Sequence, residues 1–345
     1  MLSASLLGPT EFDQAMSLLN SPQGGAWAFA TIMPNGPVAG LAPLGQRVHV
    51  VVVRDAGRVV AVGVRAVKTV RWCGASALLG YLAMLRRDQN LSPMAAHRGL
   101  VLSFSALAEI RAADELPFDL TAIASGNGRA QRLLTAGLPG VPSYQRAATY
   151  RARIWRRSRL ARGQRGCWRM RAVQAADAQR LSALVRPDLM MEPDVTVVHP
   201  DLQVIEDEHG LVACGRLVDQ RTVRTTMVAA MPGWISALRP LLNPLRACAG
   251  RASLPRLGSR MELGFLADWR WRPGQVAAAQ ALAAELSAAA APDVTAIAAG
   301  WSDEHPDAIA LRRLMPAADT VAADWYTVGN HPAVIGAWHL DVDGL

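Results

Sequence analysis

Leu79-Gly80-Tyr81-Leu82-Ala83-Met84-Leu85-Arg86 is answered further along the chain by Leu263-Gly264-Phe265-Leu266-Ala267-Asp268-Trp269-Arg270. Short, largely apolar runs of this kind suit strands buried on both faces. Upstream of the first run lies Gly57-Arg58-Val59-Val60-Ala61-Val62-Gly63-Val64-Arg65, matched by Gly210-Leu211-Val212-Ala213-Cys214-Gly215-Arg216. Downstream lies Thr121-Ala122-Ile123-Ala124-Ser125-Gly126, matched by Thr295-Ala296-Ile297-Ala298-Ala299-Gly300. Three pairs in the same order mark a duplication. The two eight-residue runs are then expected to be equivalent central strands.

Each copy opens on an amphipathic helix, at 11–19 and at 175–185, and continues into a hairpin of β-branched residues. In the first copy strands at 48–54 and 58–67 turn at Asp55-Ala56-Gly57, a strong hairpin signal. A long strand at 78–87 follows, then a loop, a helix at 99–112, a short buried strand at 120–125 and a helix at 128–136. The second copy inserts a helix at 234–247 between its hairpin and its long strand. This helix carries Trp234, Ile235, Leu238, Leu241, Leu242 and Leu245 at helical spacing. Such a face either packs on the adjacent half or walls a long acyl chain or a peptide. Between the copies, Arg156, Arg157, Arg159, Arg162 and Arg165 crowd a glycine-containing stretch that resists packing. The expected division is a first domain at 1–157, an arginine-rich linker at 158–167 and a second domain at 168–345. Each is an α/β unit with a mixed, mainly antiparallel sheet flanked by helices.

Composition narrows the function classes. With 345 residues, each half is long enough to bury its own core. The net charge is +8, yet Lys68 is the only lysine. Arginine without lysine, beside heavy alanine, points to coding bias and argues against nucleic acid as a partner. Positive charge also suits a phosphorylated ligand. No run is long and apolar enough for a membrane span, and residues 1–10 lack a basic region before their apolar residues. Cys73, Cys167, Cys214 and Cys248 are scattered, with none of the close pairs a metal site needs. Free thiols in a reducing cytoplasm, and no metal, are the expectation.

The order of elements resembles the GNAT superfamily of acyl-CoA-dependent N-acyltransferases, in two tandem copies. The long strand, loop and helix are similar to that family's pyrophosphate-binding element. Gly126-Asn127-Gly128-Arg129-Ala130 resembles its N-x-x-A helix start, and residues 137–144 resemble the approach to its last strands. The resemblance implies acetyl-CoA or another acyl-CoA as donor, and an amine-bearing small molecule or peptide as acceptor. It places the family's Arg/Gln-x-x-Gly-x-Gly/Ala loop within residues 92–101. His97, Arg98, Gly99 and Leu100 would then meet the donor phosphates, with Asn127 and Arg129 beside them. Ala96 and Val101 depart from the family's pattern. An aspartic or glutamic base is sought in Asp88 or Glu262, with water-mediated proton removal as the other route. Tyr144 is the candidate to protonate the leaving thiolate, because Leu134 holds the position four residues after the motif alanine.

Bland readings stand beside these. Asn127 between two glycines is also a plain helix cap, and Tyr81 with Phe265 fits core packing. In the second copy Trp301 is expected where the first has Asn127, and Pro273 removes an N–H from the loop. The first half is therefore expected to be the better donor site. A dinucleotide fingerprint at residues 126–131 fails at Gln131, and no Gly-x-Ser-x-Gly elbow occurs. The implied chemistry is direct attack of an amine on a thioester polarised by N–H groups of the splayed long strand. The alternative is a degenerate pair of copies that senses acyl-CoA or docks a partner.

Overall fold

The computed structural model describes residues 1–8, 11–24, 26–159, 168–186, 188–194, 199–314, 319–329 and 337–339. Most of the expected linker, from residue 160 on, lies outside the described residues.

The first half begins with β1 (Leu2–Leu6), α1 (Phe12–Leu19), the short strands β2 (Gln23–Gly24) and β3 (Ala28–Ile32), and α2 (Gly36–Leu41). Then come β4 (Arg47–Asp55), β5 (Arg58–Trp72) and β6 (Ala75–Arg87), joined by two-residue turns. Both turns carry two consecutive positive φ angles, at Ala56 and Gly57 and at Cys73 and Gly74. That geometry matches the twist of the strands it joins. α3 (Pro93–Glu109), β7 (Glu115–Ala124), α4 (Gly128–Leu134) and β8 (Tyr144–Arg156) complete the half.

The second half repeats the scheme. It runs β9 (Arg169–Ala172), α5 (Ala178–Leu181) between short 3₁₀ turns, β10 (Leu189–Pro193), β11 (Gln203–Asp207) and β12 (Gly210–Val218). An insert of β13 (Thr225–Ala230) and α6 (Gly233–Cys248) precedes β14 (Leu263–Trp271), α7 (Val276–Ala289), β15 (Ala296–Ser302), α8 (Ala308–Leu314), β16 (Asp319–Gly329) and β17 (Ala337–Trp338).

One sheet passes through both halves in the order β1-β4-β5-β6-β7-β16-β8-β15-β14-β12-β11-β9. The two duplicated runs, 79–86 and 263–270, lie in β6, between β5 and β7, and in β14, between β12 and β15. They hold equivalent central places, as the duplication required. The last long strands are exchanged. β16 of the second half pairs with β7 of the first, β8 of the first pairs with β15 of the second, and β8 and β16 pair antiparallel with each other. A pseudo-two-fold axis therefore passes between β8 and β16, and the C-terminal ends of β6 and β7 point opposite to those of β14 and β15. A second, three-stranded sheet joins β13 to β3 and β2, tying the insert to the first half.

The cores follow the layers. Ala15, Leu19, Leu41 and Leu44 pack on Val52, Val62, Val64 and Ala66 on one face of the first half. α7 and α8 cover Val212, Leu266, Trp269 and Trp301 in the second. Tyr81, Phe118, Tyr150, Trp325 and Trp338 form the centre where the halves meet. Tyr81 is thus a core residue. No helix among the described residues is long and apolar enough to cross a membrane.

The third sequence pair does not survive as an alignment. Gly80 is level with Asp119 and Gly264 with Ile297, an offset of 178 between β7 and β15. The shared Thr-Ala-Ile-Ala segments lie four residues out of that register. Alanine-rich strands match by composition, whereas the pairing with the neighbouring strand sets the structural equivalence.

Candidate active site

Parallel pairing of β6 with β7 ends at Leu82 and Thr121, where Thr121 Oγ1 donates to the Leu82 carbonyl at 2.9 Å. Beyond this point the two strands part. Just past the parting β6 bulges. Val62 is level with Arg86 and Val64 with Ala83, so Met84 and Leu85 together face Gly63. Met84 takes a positive φ of 54°. A bulge of this kind interrupts the hydrogen-bonded ladder and re-aims the backbone. The second half repeats the device: Asp268 has φ 52°, and Asp268 with Trp269 faces Gly215.

The two clefts differ in what fills them. Leu85 is 45% exposed, whereas its counterpart Trp269 is 1% exposed. Trp269 packs in tilted contact with Trp271 and Trp301, donates its indole N–H to the Ala279 carbonyl, and lies in one cluster with Leu282 of α7. Asp268 is bound to Arg216, and Cys214 Sγ donates to the Asp268 carbonyl at 3.5 Å. The second cleft is filled with its own side chains, and its bulge is tied down. α3 instead packs on β1, β4 and β5, and reaches over the first cleft with Leu100 and Phe104.

A similar contrast holds for the arginine after each bulge. Arg270 Nε lies 3.3 Å from Glu192 Oε2, and Arg270 Nη2 donates to the Pro193 carbonyl. Arg86 has no carboxylate partner among the described residues, and its Nε is buried without a hydrogen bond. Burial alone pushes Arg86 down to about 10. A buried cation without a counter-charge is costly, and an anionic ligand would relieve that cost.

A buried ionic network anchors the far end of α3. Arg65 Nε donates to Asp119 Oδ1 at 3.0 Å and Arg65 also binds Glu115, while Arg111 Nη2 donates to Asp119 Oδ2 at 2.7 Å. Burial would raise Glu115, but the Arg65 guanidinium holds its carboxyl below the ordinary value. Gly80 must lack a side chain here, because a Cβ would stand 2.0 Å from Asp119 Oδ1.

The expected phosphate loop is corrected. The helix starts at Pro93, not Gly99, because Ser92 caps it, accepting from the Ala95 N–H at 3.2 Å, and proline suits the first helical position. The connection is therefore 88–92, and His97, Arg98, Gly99 and Leu100 all lie inside α3. His97 Nε2 is 3.2 Å from the Pro139 carbonyl, and Arg98 is exposed. Gly99 is buried against Val53, and Leu100 is buried with Ile123, Leu134 and Tyr326.

Asn127 caps α4, its Oδ1 accepting from the Ala130 N–H at 3.2 Å, and Arg129 is exposed in the first turn. Its structural counterpart is His305, by the 178-residue offset, and not Trp301. His305 likewise sits before α8, its Nδ1 accepting from the Asp307 N–H at 3.1 Å. Asp88 accepts from the Asn90 N–H at 2.9 Å and pairs with Arg58 at 3.0 Å. Those contacts, the Asn90 bond first, hold its carboxyl below the ordinary value, which opposes a role as base. Glu262 is exposed just before β14.

Tyr144 begins β8 and packs at 6.3 Å from both Phe104 and Tyr326. Burial, and then the Asp119 charge, raise the Tyr144 phenol above its usual value of 10. Tyr326 is buried in the same cluster as Leu134 and is also raised, chiefly by burial. It comes from the exchanged strand of the second half. Sequence reading missed it because it lies nearly two hundred residues from the motifs it joins. Arg86 was missed as well, although its place at the end of the duplicated run was a usable signal.

No protein-family model matches the sequence, and no curated protein matches it in sequence. Solved structures match in fold. A conserved protein of unknown function from Enterococcus faecalis V583, a probable N-acyltransferase, aligns with a TM-score of 0.50 at 10% identity, over 95% of this chain and 72% of its own. A GCN5-related N-acetyltransferase from Anabaena variabilis aligns with a TM-score of 0.51 at 11% identity, over 95% and 72%. N-myristoyltransferase of Saccharomyces cerevisiae, solved with bound myristoyl-CoA, aligns with a TM-score of 0.53 at 9% identity, over 96% and 84%. At these identities the likeness concerns the fold. The chain has a tandem GNAT fold.

Proposed function

We propose that the protein transfers an acyl group from a CoA thioester to an amine, and that the first half holds the donor. The observation that carries this is the bulge of β6 just past the parting of β6 and β7, where Leu85 is 45% exposed, set against the bulge of β14, where Trp269 is 1% exposed. The donor enters between the parted ends of β6 and β7. Its thioester oxygen meets backbone N–H groups at Met84 and Leu85, which polarise the carbonyl as the charge develops. The amine nitrogen attacks the carbonyl carbon, the carbon–sulfur bond breaks, and the thiolate takes a proton. Tyr144 or Tyr326 supplies that proton, since each is held protonated by burial.

The donor phosphates are assigned to the start of α3 and its surroundings. Arg87 leads the 88–92 connection, His97 and Arg98 follow within α3, and Asn127 with Arg129 opens α4. A helix N-terminus favours anions through its free N–H groups and dipole. Gly99 and Leu100 shape the helix seat without facing phosphate. Water removes the amine proton, because the Asp88 carboxylate is already engaged. Positioning then supplies most of the acceleration.

The fold of known N-acyltransferases supports the same chemistry. The test is release of free thiol from acetyl-CoA and a long-chain acyl-CoA against a panel of small amines and peptides. Thiol release that depends on the amine is expected. Tight CoA binding with no turnover of either donor by any amine would favour a sensor in place of an enzyme.

A further inference from the structure

Arg86 stands two residues beyond Met84, no more than about 7 Å along the strand from the bulge. Its Nη1 donates to the Leu85 carbonyl at 3.1 Å, and its Nε is buried without a partner. The side edge of the guanidinium, Nε with Nη2, makes no hydrogen bond among the described residues. That edge presents two parallel N–H donors, the geometry that grips a carboxylate at two points. What sets Arg86 apart is burial without compensation. Arg65, Arg186 and Arg270 are buried, and each is met by a carboxylate: Glu115, Asp307 and Glu192 respectively. Arg153 is lowered by burial, as Arg86 is, but the Asp303 charge offsets part of that cost. For Arg86 burial is the sole influence.

The strand register fixes the side from which an anion reaches this edge. Arg86 is level with Val62, and residues directly opposite in a sheet share a face. Val62 packs in one cluster with Ala15 and Leu19 of α1. Val53, which meets Gly99 of α3, is level instead with Ala61, the neighbour of Val62. Successive residues point to opposite faces, so α3 covers one face of the strands and Arg86 emerges on the other. The donor phosphates, assigned to the start of α3, are therefore across the sheet from it.

We infer that Arg86 holds the carboxylate of the acceptor, and that the acceptor is an amino acid, its amine reaching the thioester at the bulge while its carboxylate rests on the free guanidinium edge. The inference rests on the acyltransferase reading and names the acceptor class within it. An arginine rooted this close to the bulge serves an anion on the same small molecule as the amine.

Full-length protein with saturating CoA, which carries no acyl group, is titrated calorimetrically with the common amino acids and with their amides. At least one acid is expected to bind roughly tenfold more tightly than its amide, the scale of hydrogen bonds to a charged group. Arg86→Met should abolish that preference and melt no lower than the wild type, because it removes an uncompensated buried charge. Arg86→Lys, which keeps the charge and loses the two-point edge, should reduce the preference, and it carries the test should Arg86→Met fail to fold. No preference for any acid in the wild type would overturn the proposal, as would a preference undiminished in either folded variant. A loss of acetyl-CoA affinity in the variants with the acid preference intact would give Arg86 to the donor and overturn it too. Thiol release from acetyl-CoA is followed in parallel with the acids that bind. Its absence, with the preference present and dependent on Arg86, would count against the acyltransferase reading and leave the carboxylate site supported.

Discussion

Tyr326 shows how the site is assembled at the scale of single residues. Leu134 occupies the helix position where the resemblance expects a tyrosine, and Tyr326 of the exchanged strand packs in the same cluster, beside Tyr144. Converting both tyrosines to phenylalanine removes the proton donor while keeping the packing. A fall of about a hundredfold in kcat with little change in donor KM is expected. Unchanged kcat would remove both residues from the chemistry. A second residue-scale consequence concerns pH. Burial pushes His305 down to about 4 and holds His339 well below its ordinary value. Both are neutral when folded, whereas in the unfolded chain they take a proton near pH 6.5. Between pH 6.5 and about 4 the unfolded state binds more protons, so stability is lost as the pH falls through that window. His305 alone costs on the order of 2 kcal/mol by pH 5. Thermal melting at pH 7 and pH 5 should show a smaller acid drop in His305→Asn than in the wild type. Equal drops would contradict the account.

At the scale of elements, the hairpin of β4 and β5 and the long strands β6 and β14 were legible because turn chemistry and apolar runs act locally. Asp55-Ala56-Gly57 announces its turn whatever surrounds it. Treating Gly99 as a helix boundary misplaces the start of α3, which is Pro93. Ser92-Pro93, the true boundary, is a capping signal that local chemistry could have supplied. Composition pairs Asn127 with Trp301, whereas strand register pairs it with His305. α6 extends from Gly233 to Cys248 much as its spacing suggested, yet it buries none of its residues. Trp234 is 63% exposed and Leu241 69%, in a stripe with Leu238 and Leu245. Arg246 ties this helix to Asp319 at the start of β16, on the end of the sheet where the first cleft opens. We propose that this open apolar stripe walls a long acyl chain. Myristoyl-CoA should therefore raise the melting temperature more than acetyl-CoA, and Leu241→Ser should shrink the difference. Equal shifts with the two donors would remove the acyl-chain role.

At the scale of the whole molecule, the duplication could be read from the sequence and the strand exchange could not. β8 and β16 have the same alternation and length whether each returns to its own half or crosses to the other. In the crossed arrangement Trp325 packs edge-on against Tyr150 in the central core, and Tyr326 packs beside Tyr144. We keep 1–157 and 168–345 as the proposed division of the chain, with the consequence that neither part owns a complete sheet. Residues 1–157 alone would expose the edge of β7 and lose Tyr326, and such an edge invites aggregation. The fragment is expected to be insoluble by itself and to give soluble complex when co-expressed with 158–345. A soluble, cooperatively melting fragment would show that the exchange is dispensable.

The central claim is that the first cleft, and not the second, receives the acyl donor. It turns on one pair of equivalent positions, exposed Leu85 and buried Trp269. Calorimetric titration of acetyl-CoA into the wild type and into Leu85→Trp tests it directly. Leu85 is partly exposed at a strand bulge, so the variant should fold with little change in melting temperature. The account predicts one donor bound per wild-type chain and none in Leu85→Trp. Two donors per chain, or undiminished binding in the folded variant, would place the donor elsewhere and contradict it.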